Sequence, residues 1–228
     1  MLVFGKNVFY ELCNSANAIR KVYINDTFKD QKILDLIKRY NINYIRLNNQ
    51  KMNCLVDGNH QGIVMDINEY EYAKFEEISN DDFIVMLDHL EDPHNLGAII
   101  RSCEAAGVKA IIIPKDRCVG VNATVIKISS GAIANVKIHQ VSNLINTIKK
   151  LKDNQFFIYG ADMSGKDYKT IDYAQKVVLV IGNEGAGLSK LVKENCDEVV
   201  KINMLGNINS LNASVAAGIL IFGIKKDL

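Results

Sequence analysis

From Phe83 to Leu87 the chain reads FIVML, five apolar residues without a polar interruption, and Val177–Ile181 repeats the pattern as VVLVI. Continuous runs of this kind suit a parallel sheet covered on both faces, whereas a half-solvated strand alternates. Strands are also predicted at Val108–Ile113, Asn135–His139, Gln155–Gly160 and Glu198–Ile202. Between them lie helical stretches at Leu96–Ala106, Ala123–Ser130, Ser142–Leu151, Leu188–Asn195 and Leu211–Gly223. Asn95 is expected to cap the first of these helices and Gly107 to end it. Repeated strand–helix units predict a doubly wound α/β domain.

The first 68 residues carry a smaller α/β pattern of their own. A short helix near the start precedes a strand at Val22–Asn25. In DQKILDLIKRY, Ile33, Leu34, Ile37 and Tyr40 fall on one helical face and Lys32, Asp35 and Lys38 on the other. Strands follow at Ile42–Leu47 and Gly62–Ile67. Charge marks the boundary. Residues 1–68 and 83–228 each carry a net +3, while residues 69–82 (EYEYAKFEEISNDD) carry −5. Two mildly basic domains, 1–68 and 83–228, are therefore expected on either side of a solvated acidic linker, 69–82.

At 48% hydrophobic and 23% charged residues, the 228-residue chain is not a disordered one. It contains no apolar run near the ~18 residues of a membrane span. The opening MLVFGKNVFYELC lacks the basic flank, apolar stretch and small-residue site of a signal peptide, so a cytoplasmic protein is expected. Five scattered cysteines form no CxxC pair and have no histidine at zinc-ligand spacing, which predicts reduced thiols and no metal site.

In α/β folds ligands sit beyond the carboxyl ends of the strands, so the glycine-bearing segments there are the candidates for chemistry. GADMSGKD (Gly160–Asp167) fits GxxxxGK but offers Asp167 where a phosphate loop needs a hydroxyl for Mg²⁺. A nucleotide-dependent enzyme would rest on that turn alone. GNEGAGLS (Gly182–Ser189) reverses the glycine order of the dinucleotide fingerprint. Its unhindered N–H groups could hold a small polar ligand, with Glu184 projecting into the site. INMLGNINSLNASVAAGILIF leads a polar loop into a small-residue helix, with Ser210 and Asn212 at its start. In DPHNLGAIIRSCEAAG, Arg101 interrupts an apolar helix and is expected to be buried against an anion.

Together NLGAIIR (Asn95–Arg101), GNEGAGLS and INMLGNINSLNASVAAGI resemble, in order and spacing, the three motifs of the SpoU-type RNA 2′-O-ribose methyltransferases. The resemblance extends through Ile111–Ala132. Within residues 1–68, FGKNVFYEL and GNHQGIV resemble the family's substrate-binding domain. The subgroup it resembles most methylates a guanosine ribose of large-subunit ribosomal RNA. At Asn203 the family usually has proline, so a looser cofactor loop is expected.

The resemblance implies a small α/β/α substrate-binding domain followed by a C-terminal α/β domain with a trefoil knot. It further implies a homodimer that uses S-adenosylmethionine, without a metal, and releases S-adenosylhomocysteine. By motif position the cofactor falls to Gly182, Ile202 and Leu211, with Gly160 and Ala161 beside it. Catalysis falls to Arg101, Asn95, Glu184, Ser210 and Asn212. Because a guanidinium holds its proton too tightly to act as a base, Arg101 suits phosphate binding or alkoxide stabilisation better, and Glu184 is the candidate proton acceptor. Lys6, Asn59, His60 and Gln61 are candidates for RNA contact. Dimer packing is expected through the motif-one helix and the final helix, on Ala213, Ala216, Ala217, Gly218, Ile219, Leu220 and Phe222. A tRNA 2′-O-methyltransferase and a non-catalytic RNA-binding relative are the alternatives.

Overall fold

The computed structural model describes residues 1–13, 19–207 and 210–225, so Ile208 and Asn209 of the third motif lie outside the described residues. By its contacts the chain divides into two units, residues 1–71 with 121–134, and residues 72–120 with 135–228.

In the first unit, β1 (Leu2–Phe4), β2 (Ile19–Asn25), β3 (Tyr44–Leu47) and β4 (Ile63–Ile67) form a sheet in the order β1-β4-β2-β3. β2 and β3 run parallel, and β4 is antiparallel to both its neighbours. Helices α1 (Lys6–Cys13), α2 (Gln31–Arg39) and α3 (Asn49–Leu55) complete the chain's first pass. Asp30 caps α2 by accepting the Ile33 N–H, and Lys38 and Arg39 complement the dipole at its far end. Ile33 and Ile37 are buried as the periodicity predicts. Tyr40 departs from it: it is the C-cap, beyond the last helical turn, and stays exposed. Both β1 and α3 escape sequence reading. One is three residues long, and the other buries Met52 alone, so neither leaves a period to detect.

The second unit is a parallel sheet of β5 (Phe83–Leu87), β6 (Ala110–Pro114), β7 (Lys137–Val141), β8 (Phe157–Asp167), β9 (Val177–Ile181) and β10 (Glu198–Lys201). Their spatial order is β10-β8-β9-β5-β6-β7. Every residue of β5, β6 and β9 is buried. Alternation divides each between two faces. Ile84, Met86, Ile112, Val178 and Val180 pack in one core cluster with Phe75 and Ile78 of α4 (Phe75–Ile78), Ile148 of α7 (Leu144–Asp153) and Val192 of α8 (Lys190–Asn195). α5 (Pro93–Ala105) and α9 (Ala213–Lys225) pack against each other, α9 also touching β9. The chain steps from β5 outward through β6 to β7, then returns to the opposite side at β8. Strand order thus reverses beside β5 and β9, where α/β proteins place their ligands.

Three expectations about organisation change. Residues 69–82 are not a solvated linker throughout, because Phe75 and Ile78, three apart, turn into the core while Glu76 and Glu77 face water. The helix predicted at Ala123–Ser130 exists as α6 (Ala123–Ser129) but belongs with the first unit, against β1, with the Lys127 ammonium 4.8 Å from the Phe4 ring centre. The Gly160–Asp167 turn is strand: β8 runs on to Asp167 and leads into a single 3₁₀ turn, leaving no helix N-terminus to cradle a phosphate.

Candidate active site

The register between β8 and β10 builds one wall of the site. Gly160 lies opposite Val199 and Lys166 opposite Val200, so Ala161–Gly165 bulge out of the ladder. The bulge closes because Gly165 passes Val199 so tightly that a Cβ would come within 2.4 Å of its carbonyl oxygen. Ala161, Asp162 and Met163 then line a cavity of about 220 Å³ beyond the strand ends. The remaining walls are Ile181 at the end of β9 and the Gly182–Gly187 turn after it, Val200 and Lys201 at the end of β10 with Ile202 and Met204 beyond it, and Ser210, Leu211, Ala213, Ala216 and Leu220 around the start of α9.

The turn after β9 is held from below. Gly182 packs against the Gly187 backbone so closely that a Cβ would meet its carbonyl carbon at 2.2 Å, which leaves room for hydrogen alone. Asn183 accepts the N–H groups of Gly185 and Ala186 on Oδ1 and donates from Nδ2 to the His89 carbonyl at 2.8 Å. Asp88, 1% exposed at the end of β5, accepts the Ser189 N–H at 2.6 Å on one oxygen and meets His89 Nδ1 at 2.6 Å on the other. Sequence reading passed over Asp88 and Asn183. The available signal was a carboxylate directly after the apolar run FIVML.

Asn95 is not the N-cap. Asp92 accepts the His94 N–H and Pro93 opens α5 with its preset φ, so Asn95 falls inside the first turn and is 5% exposed. Its side chain is thereby free for other work. Asn212 donates from Nδ2 to Asn95 Oδ1 at 3.0 Å, and Asn95 donates from Nδ2 to Glu184 Oε1 at 2.8 Å. Asn212 Oδ1 meanwhile accepts the Ser214 and Val215 N–H groups at the start of α9. Three residues drawn from three motifs, up to 117 positions apart in sequence, thus form one chain of hydrogen bonds ending at the cavity wall.

Other candidates are placed as follows. Ala161, Gly182, Ile202 and Leu211 line the cavity, as do Glu184 and Ser210. Gly160 does not: it is buried toward α8, where an added Cβ would lie 2.8 Å from both Cys196 Sγ and Leu188 Cδ1. Arg101 is exposed, contrary to the expected burial, because it lies on the solvent side of α5. Among the described residues it has no ion pair. Asn203, expected to loosen the loop, ties it instead, donating to Asp167 Oδ2 at 2.6 Å. The carboxylate that spoils a phosphate loop is its anchor.

In the first unit, His60 turns inward. It is 8% exposed, accepts the Gly62 N–H on Nδ1 at 3.0 Å and bonds Asn53 Oδ1 through Nε2, so it offers no surface to RNA. Asn59 and Gln61 are exposed, and Lys6 pairs with Asp30 at 2.8 Å. Ala213, Ala217 and Leu220, expected at a dimer surface, are buried within their own chain. The exposed stripe of α9 is Val215, Ile219 and Phe222, at helical spacing.

Among the described residues no His, Cys, Asp and Glu side chains group as a metal site, and no helix is long and apolar enough to cross a membrane. Burial raises the Cys118 and Cys196 thiols to about 12, so neither is a ready nucleophile.

Comparison with known proteins agrees with this geometry. Residues 82–222 match the SpoU rRNA Methylase family, and residues 2–73 match the RNA 2′-O ribose methyltransferase substrate binding family. The YacO protein of Bacillus subtilis strain 168, a candidate TrmH family tRNA/rRNA methyltransferase, is 39% identical over 98% of this chain and 94% of its own length. A namesake from Staphylococcus saprophyticus is 40% identical over the same shares. The SpoU methyltransferase AviRb of Streptomyces viridochromogenes, solved with AdoMet, superposes with a TM-score of 0.83 at 24% identity, over 99% of this chain and 89% of that one. Motifs, fold and relatives converge: the chain belongs to the SpoU family of RNA methyltransferases.

Proposed function

We propose that the protein transfers a methyl group from S-adenosylmethionine to a ribose 2′-hydroxyl of structured RNA. The observation that carries this reading is the Asn212–Asn95–Glu184 chain ending at the cavity beyond β8, β9 and β10. The lining suits the cofactor. Ile181, Ile202, Met204, Leu211 and Leu220 supply apolar area for a base, while backbone amides of the glycine turn and the Asp162 and Glu184 carboxylates supply polar ends. Gly182, Ile202, Leu211 and Ala161 would hold it, within the knotted domain the family resemblance implies.

When bound, the cofactor supplies a methyl group already activated on a sulfonium. The chain's own residues must orient the hydroxyl and take up its proton. Asn95 fixes one oxygen of Glu184, leaving Oε2 to accept that proton. Ser210 and Asn212 orient the ribose. Arg101 holds the target phosphate or stabilises the developing alkoxide, from an exposed position that a second copy can reach. The Val215, Ile219 and Phe222 stripe supports a homodimer packed on α9. Within the first unit, Lys6, Asn59 and Gln61 are the proposed RNA contacts.

The RNA we favour is large-subunit ribosomal RNA, at a guanosine, with tRNA as the second reading because the relatives' names include both. We place the reaction in the cytoplasm, with RNA binding in residues 1–68 and catalysis in residues 83–228, on either side of 69–82. Ribose-methylation mapping of ribosomal and transfer RNA from cells lacking the protein is the deciding test. Loss of one large-subunit site supports the first reading, loss of a tRNA site the second. An unchanged map together with calorimetric binding of ATP but not S-adenosylmethionine would overturn the assignment.

A further inference from the structure

Two carboxylates line the cavity, and they are held differently. Glu184 is bonded to a neutral amide, Asn95. Asp162, at the crest of the β8 bulge, accepts three hydrogen bonds on a single oxygen: from Ser164 N at 2.9 Å, Ser164 Oγ at 2.8 Å and Lys193 Nζ at 2.8 Å. These contacts outweigh burial, which alone would raise its pKa, and hold the carboxyl below its ordinary value. The other oxygen, Oδ2, has no hydrogen-bond partner among the described residues. It lies across from Gly187, where an added Cβ would be 3.9 Å away.

The side chain is thus locked by one oxygen and presents the other beside the cavity wall. The charge on it decides what that oxygen suits. Lys193 already neutralises Asp162, so a cationic ligand group gains little there. A neutral vicinal diol needs an acceptor, and a fixed carboxylate oxygen is a strong one. We infer that Asp162 Oδ2 accepts a hydrogen bond from a ribose hydroxyl of the cofactor's nucleoside, with Ser164 and Lys193 fixing the carboxylate for that contact. The inference rests on the cofactor reading above.

Calorimetry on the full chain separates the possibilities, using S-adenosylhomocysteine, 5′-methylthioadenosine (the nucleoside without the amino-acid end) and the 2′,3′-dideoxy form of the latter. Asp162→Ala should weaken the first two ligands by the same factor, about tenfold for one charge-assisted hydrogen bond. It should leave the already weaker binding of the dideoxy ligand unchanged. Asp162→Asn keeps the volume and guards against a fold defect, which melting curves would reveal; it should fall between wild type and alanine. A loss confined to S-adenosylhomocysteine would identify the ammonium as the partner and overturn the inference. So would equal losses for all three ligands, or none in a stable variant. Wild-type protein that bound neither natural nucleoside would sink the cofactor reading itself, a result distinct from all of these.

Discussion

Replacing Asn95 by alanine removes the middle of the Asn212–Asn95–Glu184 chain, and the consequences follow from its two bonds. The bond to Glu184 is to a charged group but reaches an exposed carboxylate, which puts it near the low end for such bonds, about 1.5 kcal/mol. The bond from Asn212 joins neutral groups and contributes about 1 kcal/mol. A loss of about 2.5 kcal/mol should lower the melting temperature by roughly 5–10 °C for a chain of this size. The effect on rate is of a different kind. Freed from Asn95, Glu184 loses its fixed direction, and misplacement of a reacting group by about 1 Å costs about 100-fold. Single-turnover methylation of the cognate RNA at saturating cofactor reads that rate directly. A double-mutant cycle with Glu184→Ala should show the two losses to be non-additive by about 1 kcal/mol or more, because both delete the same bond. Asn95→Ala protein that melts with the wild type and methylates at its rate would refute this reasoning, as would a strictly additive cycle.

Arg101→Ala should leave the melting temperature and S-adenosylmethionine affinity near wild type, since the side chain is exposed, while kcat falls about 100-fold. Arg101→Lys should recover part of that loss; unchanged kcat in the alanine variant removes Arg101 from catalysis. Gly182→Ala forces a Cβ into the Gly187 backbone, so calorimetry should show cofactor affinity reduced more than tenfold and melting lowered by an overpacking cost of about 1–3 kcal/mol. On α9, Phe222→Asp should give a folded monomer in sedimentation, whereas Ala217→Glu buries a charge within the chain and should unfold it. A wild-type protein that is monomeric at micromolar concentration dismisses the dimer.

Much of this was legible in the linear sequence. Unbroken apolar runs at Phe83–Leu87 and Val177–Ile181 announce strands covered on both faces, since burial on two sides removes the need for polar alternation. Motif order brought forward Asn95, Glu184 and Asn212. What periodicity could not reveal was decided by contacts between residues far apart in sequence. Whether Gly160–Asp167 is a turn or a strand depends on Val199 and Val200 arriving alongside it, some forty residues later. Arg101 looks buried by its apolar neighbours on the chain, yet exposure follows from which side of α5 meets α9 and the sheet. His60 reads as a surface histidine until Asn53 and Gly62 close around it. Asn203 reads as a missing proline until Asp167 supplies the constraint that the ring would have provided. Local pattern determines which segments are strand or helix, because it records each residue's preference for water or core. Partnership between polar side chains far apart in sequence is set by tertiary packing, since each such bond depends on the positions of two distant backbones at once.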